Sequence, residues 1–223
     1  MPPYRMIDKR AKFWKEGKIF DNNATAIDGL IIPLRYIEYE TAKKKIDTYY
    51  RVMFVRNPLE RILSAWKDRL VGKVDSDFQI IDQDIIKKIR TDRRNRTKYP
   101  TLLEFFTFLH SQRQRAATMN PHWKPINKLC HVCAIKYDFI GKLESITSDV
   151  KLLLDTIKPE MSLKIKVPTM RDPIPKDQDD RYIELRKSVP LHLTRQVLEI
   201  YKDDYNLFGY NMTKDIEEAY YTE

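Results

Sequence analysis

Apolar and polar positions alternate between two periods along this chain. Tyr50-Arg51-Val52-Met53-Phe54-Val55 is a short apolar run rich in β-branched and aromatic residues, the signature of a buried strand. A helix is predicted directly after it. Asn57 suits the N-cap and Pro58 the first helical position, and Leu59, Ile62, Leu63, Trp66 and Leu70 recur at helical spacing. Upstream, residues 34–50 read as a helix with Leu34, Ile37 and Ala42 on one side, while residues 1–30 are polar, with weak helical character in Asp8–Lys18.

Residues 71–99 form a long polar stretch ending in the basic run Lys87–Lys98. Thr101 and Glu104 then make a capping box for a helix over Leu102–Gln112, whose apolar residues are Phe105, Phe106, Phe108 and Leu109. Residues 120–136 read as a loop with two prolines and both cysteines, and Tyr137–Gly141 as a second buried strand. A helix over Ser148–Ile157, a loop rich in Pro, Lys and Asp over 158–180, a last helix over Leu191–Asp203 and a closing segment Tyr205–Tyr210 complete the reading, with no internal repeat. Buried strands interleaved with amphipathic helices predict an α/β domain around a parallel sheet, with ligands at the C-terminal ends of strands. Arg56 and Asn57 stand at such an end.

Composition narrows the chemistry. The 223 residues are 42% hydrophobic and 11% aromatic, enough for a globular core. Only 5 glycines are present, and neither G-x-x-x-x-G-K-[ST] nor G-x-G-x-x-G occurs, which excludes Walker and dinucleotide-type phosphate loops. The formal net charge of +9 suits a polyanionic partner such as a nucleotide, nucleic acid, acidic polysaccharide or anionic membrane, or serves solubility alone. No apolar run approaches the ~20 residues that cross a bilayer, and no signal peptide follows Met1. Asn23, Asn95 and Asn211 each begin a glycosylation sequon, which leans toward a luminal protein.

On a helical wheel Asn57, Glu60, Arg61, Ser64 and Asp68 share one sector, opposite the apolar face. Arg56 and Ser64 would then share a groove with a helix N-terminus, whose N–H groups attract anions. Arginine adds a fork for phosphate oxygens and serine a hydroxyl donor. The alternative for such a face is ordinary solvation.

Val55-Arg56-Asn57-Pro58-Leu59-Glu60-Arg61-Ile62-Leu63-Ser64-Ala65-Trp66 resembles the 3′-phosphate motif of carbohydrate sulfotransferases, with Leu59 and Trp66 where Phe and Tyr are common. His122-Trp123-Lys124-Pro125, Leu129-Cys130-His131-Val132-Cys133 and Tyr137-Asp138-Phe139-Ile140-Gly141-Lys142-Leu143-Glu144 are similar to a block of the chondroitin/dermatan 4-O-sulfotransferase group. Tyr201-x-x-Asp204-Tyr205-x-Leu207-Phe208-Gly209-Tyr210 is similar to that group's ending. The resemblance covers residues 50–210 and implies the sulfotransferase, P-loop NTPase-like fold over residues 34–214, between an irregular segment 1–33 and a tail 215–223.

It also implies sulfuryl transfer from 3′-phosphoadenylyl sulfate to a hydroxyl of a glycosaminoglycan or glycan, with N-acetylgalactosamine O4 as the favoured position, no metal, and a luminal Golgi domain whose membrane anchor lies outside these residues. Arg56 to Ser64 (Arg56, Asn57, Pro58, Leu59, Glu60, Arg61, Ile62, Leu63, Ser64) would form the cofactor's 3′-phosphate site, with Arg61 supporting it or staying in the groove. His122 is the first candidate for the base or an acceptor contact, ahead of His110, His131 and His192; a loop imidazole serving only as a hydrogen-bonding group is the alternative. Cys130 and Cys133 suit a luminal disulfide, buried thiols or, with His122 and His131, a zinc site. The Lys87–Lys98 run suits a polysaccharide or a solvated loop.

The family's 5′-phosphosulfate loop and first strand are not found in residues 1–50, so these 223 residues alone are expected to be inactive, with an open sheet edge beside Tyr50–Val55. Rival readings are a non-catalytic relative that binds nucleotide or polyanion, a nucleotide kinase lacking its Walker motif, and a basic nucleic-acid-binding module, for which no reader element is present.

Overall fold

A computed structural model describes residues 38–71, 85, 87–90, 98–157, 159, 176 and 178–221. Two compact units divide at Tyr50. In the first, helix α1 (Tyr39–Thr48) is capped by Glu38, whose carboxylate accepts from the amides of Glu40 and Thr41. The part of the predicted 34–50 helix before residue 38 lies outside the described residues, as do the Asp8–Lys18 segment and the region searched for the 5′-phosphosulfate loop before residue 38.

The second unit is built on β1 (Val52–Val55) and β2 (Phe139–Lys142), which pair in parallel with Val52 opposite Phe139 and Val55 opposite Lys142. Polar staples fix that register at both ends. At the start, the Arg51 fork grips the Asp138 carboxylate at 2.8 and 3.0 Å, and the Arg51 amide donates to the same group at 2.8 Å. At the finish, the Asn57 amide donates to Glu144 at 2.6 Å. Gly141 is required by packing: a Cβ there would lie 2.4 Å from the Phe54 ring.

Helix α2 (Pro58–Ala65) follows β1 at once and continues into a π-helical turn, Trp66–Val71. Its apolar side is the predicted one: Leu59, Ile62, Leu63 and Leu70 are fully buried. They join α3 (Leu102–Ser111), held by the expected Thr101–Glu104 capping box, in the main core. A 3-10 segment (Arg113–Thr118) and short α4 (Ile126–Leu129) lead back to β2, and α5 (Ile146–Ile157) follows, starting two residues before the predicted boundary.

Two C-terminal elements differ from the sequence reading. Asp180–Ser188 is a helix, α6, capped by Asp179 and packed through Tyr182 and Leu185. The predicted Leu191–Asp203 helix is two, α7 (Leu191–Glu199) and α8 (Lys202–Leu207). The expected boundary at 214 falls inside α9 (Met212–Tyr220), whose Ile216 and Ala219 belong to the core. A second cluster of Met53, Val55 and Phe208 covers one face of the sheet. Among the described residues no helix is long and apolar enough to cross a membrane.

Candidate functional site

The turn from β1 into α2 places Arg56 and Ser64 together: Arg56 Nη1 donates to Ser64 Oγ at 2.7 Å. A second guanidinium meets the same oxygen, with Arg181 Nη1 at 2.8 Å. Arg181 comes from the first turn of α6, 117 residues along the chain. Two carboxylates hold the pair of arginines in place. Asp179 binds the Arg181 fork at 2.6 and 3.0 Å, and Glu60 Oε2 lies 3.4 Å from Arg56 and 3.3 Å from Arg181. The Tyr182 hydroxyl donates to Glu60 at 2.6 Å, and its own ionisation is pushed up by burial and by the Glu60 charge. Burial would raise the Asp179 carboxyl, but the bonds from Arg181 outweigh it and hold it below the ordinary range. Ser64 Oγ accepts from two cations, and its hydroxyl proton takes part in neither bond.

Two of the N–H groups at the start of α2 already have protein acceptors, contrary to the sequence expectation of donors left for an anion. The Asn57 amide is taken by Glu144 and the Glu60 amide by Asn57 Oδ1 at 3.2 Å. Pro58 has no N–H. The Glu144 carboxylate thus occupies the positive end of α2. Asn57 is spent on structure as well, since its Nδ2 donates to the buried Asp215, which also accepts from Tyr205 at 2.9 Å. Burial pushes the Asp215 carboxyl up, against the pull of those two donors.

The motif therefore splits. Arg56 and Ser64 face the cluster, and Glu60 aligns both arginines. Asn57, Pro58, Leu59, Ile62 and Leu63 are buried, so their part is to hold the helix rather than to touch a ligand. Arg61 leaves the cluster altogether. Its fork donates to the carbonyls of Lys124 at 2.6 Å and Pro121 at 2.7 Å, which corrects its placement in the phosphate site and turns its side chain to the other flank of the helix.

That other flank carries His122. Asn120 Oδ1 accepts from the His122 amide at 3.0 Å and stands 2.9 Å from Nδ1. A carboxamide oxygen only accepts, so the proton is on Nδ1 and the lone pair on Nε2. Burial, followed by the charges of Arg69 and Arg61, pulls the imidazole below its ordinary range. His122 is therefore neutral at pH 7, the form a general base requires. The remaining histidines, His110, His131 and His192, take no part in either cluster.

Cys130 and Cys133 are free thiols, so the expected disulfide is not formed. Cys130 packs inward against the Met53–Phe208 cluster and Cys133 is exposed, after a turn at His131 with φ of 50°. Of the sequons, Asn211 is exposed and caps α9 through Oδ1, while Asn23 and Asn95 lie outside the described residues.

Arg181 escaped the sequence reading because α6 did. Its signals were present: an Asp at the cap, Tyr182 and Leu185 at helical spacing, and Pro190 just past the end. Nothing local could have joined it to Ser64.

Residues 13–211 match the Sulfotransferase family. The chain is 29% identical to carbohydrate sulfotransferase 14 of Danio rerio over 80% of its own length and 48% of the relative's. It is 28% identical to carbohydrate sulfotransferase 11 of Mus musculus over 75% and 49%, and 30% identical to carbohydrate sulfotransferase 9 of Homo sapiens over 74% and 38%. No solved structure matches. The chain thus spans about half the length of the curated relatives it matches. With a parallel β1–β2 pair delivering Arg56 and Ser64 to one cluster, and a family match running from residue 13 to 211, the chain belongs to the sulfotransferase family.

Proposed function

We propose that Arg56, Ser64 and Arg181 hold the 3′-phosphate of 3′-phosphoadenylyl sulfate, and that His122 stands on the acceptor side. The protein then transfers the donor's sulfuryl group to a glycan hydroxyl, with N-acetylgalactosamine O4 the position favoured by the sequence blocks. The observation that carries this reading is the convergence of two guanidinium groups on one serine hydroxyl. Forked cations and a hydroxyl donor match phosphate oxygens in geometry as well as charge. In the transfer, the acceptor oxygen bonds to sulfur as the bond from sulfur to the donor's phosphate oxygen breaks. The hydroxyl proton passes to the acceptor-side base, and adenosine 3′,5′-bisphosphate leaves. The lone pair at Nε2 and the lowered basicity of His122 suit it to receive that proton at neutral pH. The acceptor is an acidic polysaccharide or glycan, in keeping with the net charge of +9, and the compartment is the Golgi lumen.

The test is calorimetric binding of adenosine 3′,5′-bisphosphate to the 223-residue chain. Arg56→Ala is expected to weaken it by about 2–3 kcal/mol, the range for a charge-assisted bond, and Ser64→Ala by roughly half as much. Both variants binding like the parent would remove the phosphate from this cluster.

A further inference from the structure

Arg61 is a half-buried cation that the phosphate cluster does not use. Its fork reaches instead into the turn that carries His122, and the bonds there are specific. Nη2 donates to the Pro121 carbonyl and Nη1 to the Lys124 carbonyl, one on each side of His122. The Tyr201 hydroxyl takes the intervening Trp123 carbonyl at 2.5 Å. Downstream, the Asp204 carboxylate accepts from the amides of Ile126 and Asn127 at 2.6 and 2.8 Å. Within the turn, the Trp123 and Lys124 amides return to the Asn120 carbonyl at 3.1 and 2.8 Å. Trp123 itself is buried, edge-on to Phe105 at 5.3 Å between ring centroids. The backbone on both sides of His122 is thereby fixed, and Asn120 Oδ1 meets both the His122 amide and its ring.

A planar guanidinium bridging two carbonyls imposes a distance and an angle on them, which a lysine ammonium cannot reproduce. Arg61 also stands three residues before Ser64 on the same helix, so one rigid turn of α2 carries both the anchor of the His122 turn and the serine of the phosphate cluster. We propose that Arg61 is a positioning residue: by clamping the Pro121 and Lys124 carbonyls, it sets the placement of His122 relative to Ser64. The proposal rests on the reading of His122 as the acceptor-side residue.

The charges facing His122 are those of Arg69, from the π-helical turn, and Arg61, from α2. They give the experiment two separable readouts. In the 223-residue chain labelled with ¹⁵N at histidine, long-range NMR correlations report the tautomer of His122, and a pH titration reports its midpoint. The parent is expected to show the Nδ1-protonated form. Arg61→Lys keeps the charge but loses the fork, so the tautomer becomes mixed while the midpoint stays low. Arg61→Met loses both, and the midpoint also rises. Tyr201→Phe frees the Trp123 carbonyl without touching a charge, so it disturbs the His122 resonances and leaves the midpoint unchanged.

Adenosine 3′,5′-bisphosphate should bind all three variants within about threefold of the parent, because Arg56, Ser64 and Arg181 are unaltered. His122 spectra of Arg61→Lys and Arg61→Met that superimpose on the parent's would overturn the proposal. So would a loss of bisphosphate affinity in Arg61→Lys as large as that of Arg56→Ala, which would return Arg61 to the phosphate site, or an Arg61→Lys chain that does not fold, which would make Arg61 a stability residue. These readouts do not depend on whether His122 accepts a proton, so failure of the clamp and failure of the catalytic reading remain distinct.

Discussion

Truncating Arg181 to alanine should weaken the bisphosphate at least as much as truncating Arg56, although only Arg56 belongs to the motif visible in the sequence. The cluster around Ser64 Oγ holds two guanidinium groups and two carboxylates, those of Glu60 and Asp179. Its formal charge is zero before any phosphate arrives. Removing Arg181 deletes one cationic donor, at 2.8 Å from the serine oxygen, and a bond of that kind contributes about 1.5–3 kcal/mol. It also leaves two carboxylates facing one arginine. A phosphate at Ser64 would then meet uncompensated negative charge at a distance of order 5 Å, where each unit charge is worth ~3 kcal/mol at an effective dielectric near 20. Solvent reaching side chains that are about one-fifth exposed cuts this to roughly a third. The expected loss is about 3 kcal/mol, or ~150-fold in affinity. Calorimetry with adenosine 3′,5′-bisphosphate measures it, and adenosine 5′-phosphate serves as the control, since a ligand without a 3′-phosphate should respond little to the substitution. Equal loss for both nucleotides, or none for either, would refute the assignment of Arg181 to the 3′-phosphate.

Glu104→Gln tests the other charged pair with little exposure. Glu104 meets the Arg90 fork at 2.6 and 2.9 Å and the Thr101 amide at 2.8 Å, and losing its charge should cost about 3 kcal/mol in urea unfolding at pH 7. Burial would raise this carboxyl, but the Arg90 and Thr101 bonds win and hold it below its ordinary value. Its contribution is therefore complete above the unfolded value near 4.5 and is lost as pH falls through the lower folded value, so the variant should lose that part of the acid dependence; parallel pH–stability curves for parent and variant would contradict this. In any form of the protein that transfers sulfuryl groups, His122→Gln should lower kcat by about 10²–10⁴ with bisphosphate affinity unchanged; an unaltered kcat would leave His122 a loop ligand only.

What the sequence showed plainly was whatever depends on neighbours. The β1 run, the Asn57–Pro58 start of α2, its apolar side and the Thr101–Glu104 box are all local, and all are present. The pairing of Arg56 with Ser64 was legible too, because eight residues on a strand-turn-helix leave few ways to arrange two side chains. Arg181 was not, because its partner is 117 residues away and because low local apolarity hid α6. The opening of the α2 N-terminus to an anion was misjudged for the same reason. Glu144 fills it from 87 residues away, and no local pattern announces a competing carboxylate.

The closing Tyr201–Tyr210 segment shows how a motif can be specific without performing chemistry. Asp204 is buried, and burial pushes its carboxyl up, yet it keeps two backbone amides and faces the Arg61 charge. Tyr201 reaches the Trp123 carbonyl, and Tyr205 shares Asp215 with Asn57. Tyr210 bonds Glu144 at 2.9 Å while its ring lies against the Lys142 ammonium at 4.4 Å. Tyr201 ends on the His122 turn, Asp204 on the start of α4, Tyr205 on the Asp215 that holds the Asn57 side chain, and Tyr210 on the carboxylate at the α2 cap. A buried polar group left without its partner costs about 1–3 kcal/mol, so substitution of Tyr201, Asp204 or Tyr205 strands a buried partner. The spacing of residues in the segment is thus set by the distances between β1, β2 and the His122 turn. These bonds tie the C-terminal segment to the His122 turn, to α4 and to the carboxylate at the α2 cap, and so brace the elements that carry Arg56, Ser64 and His122.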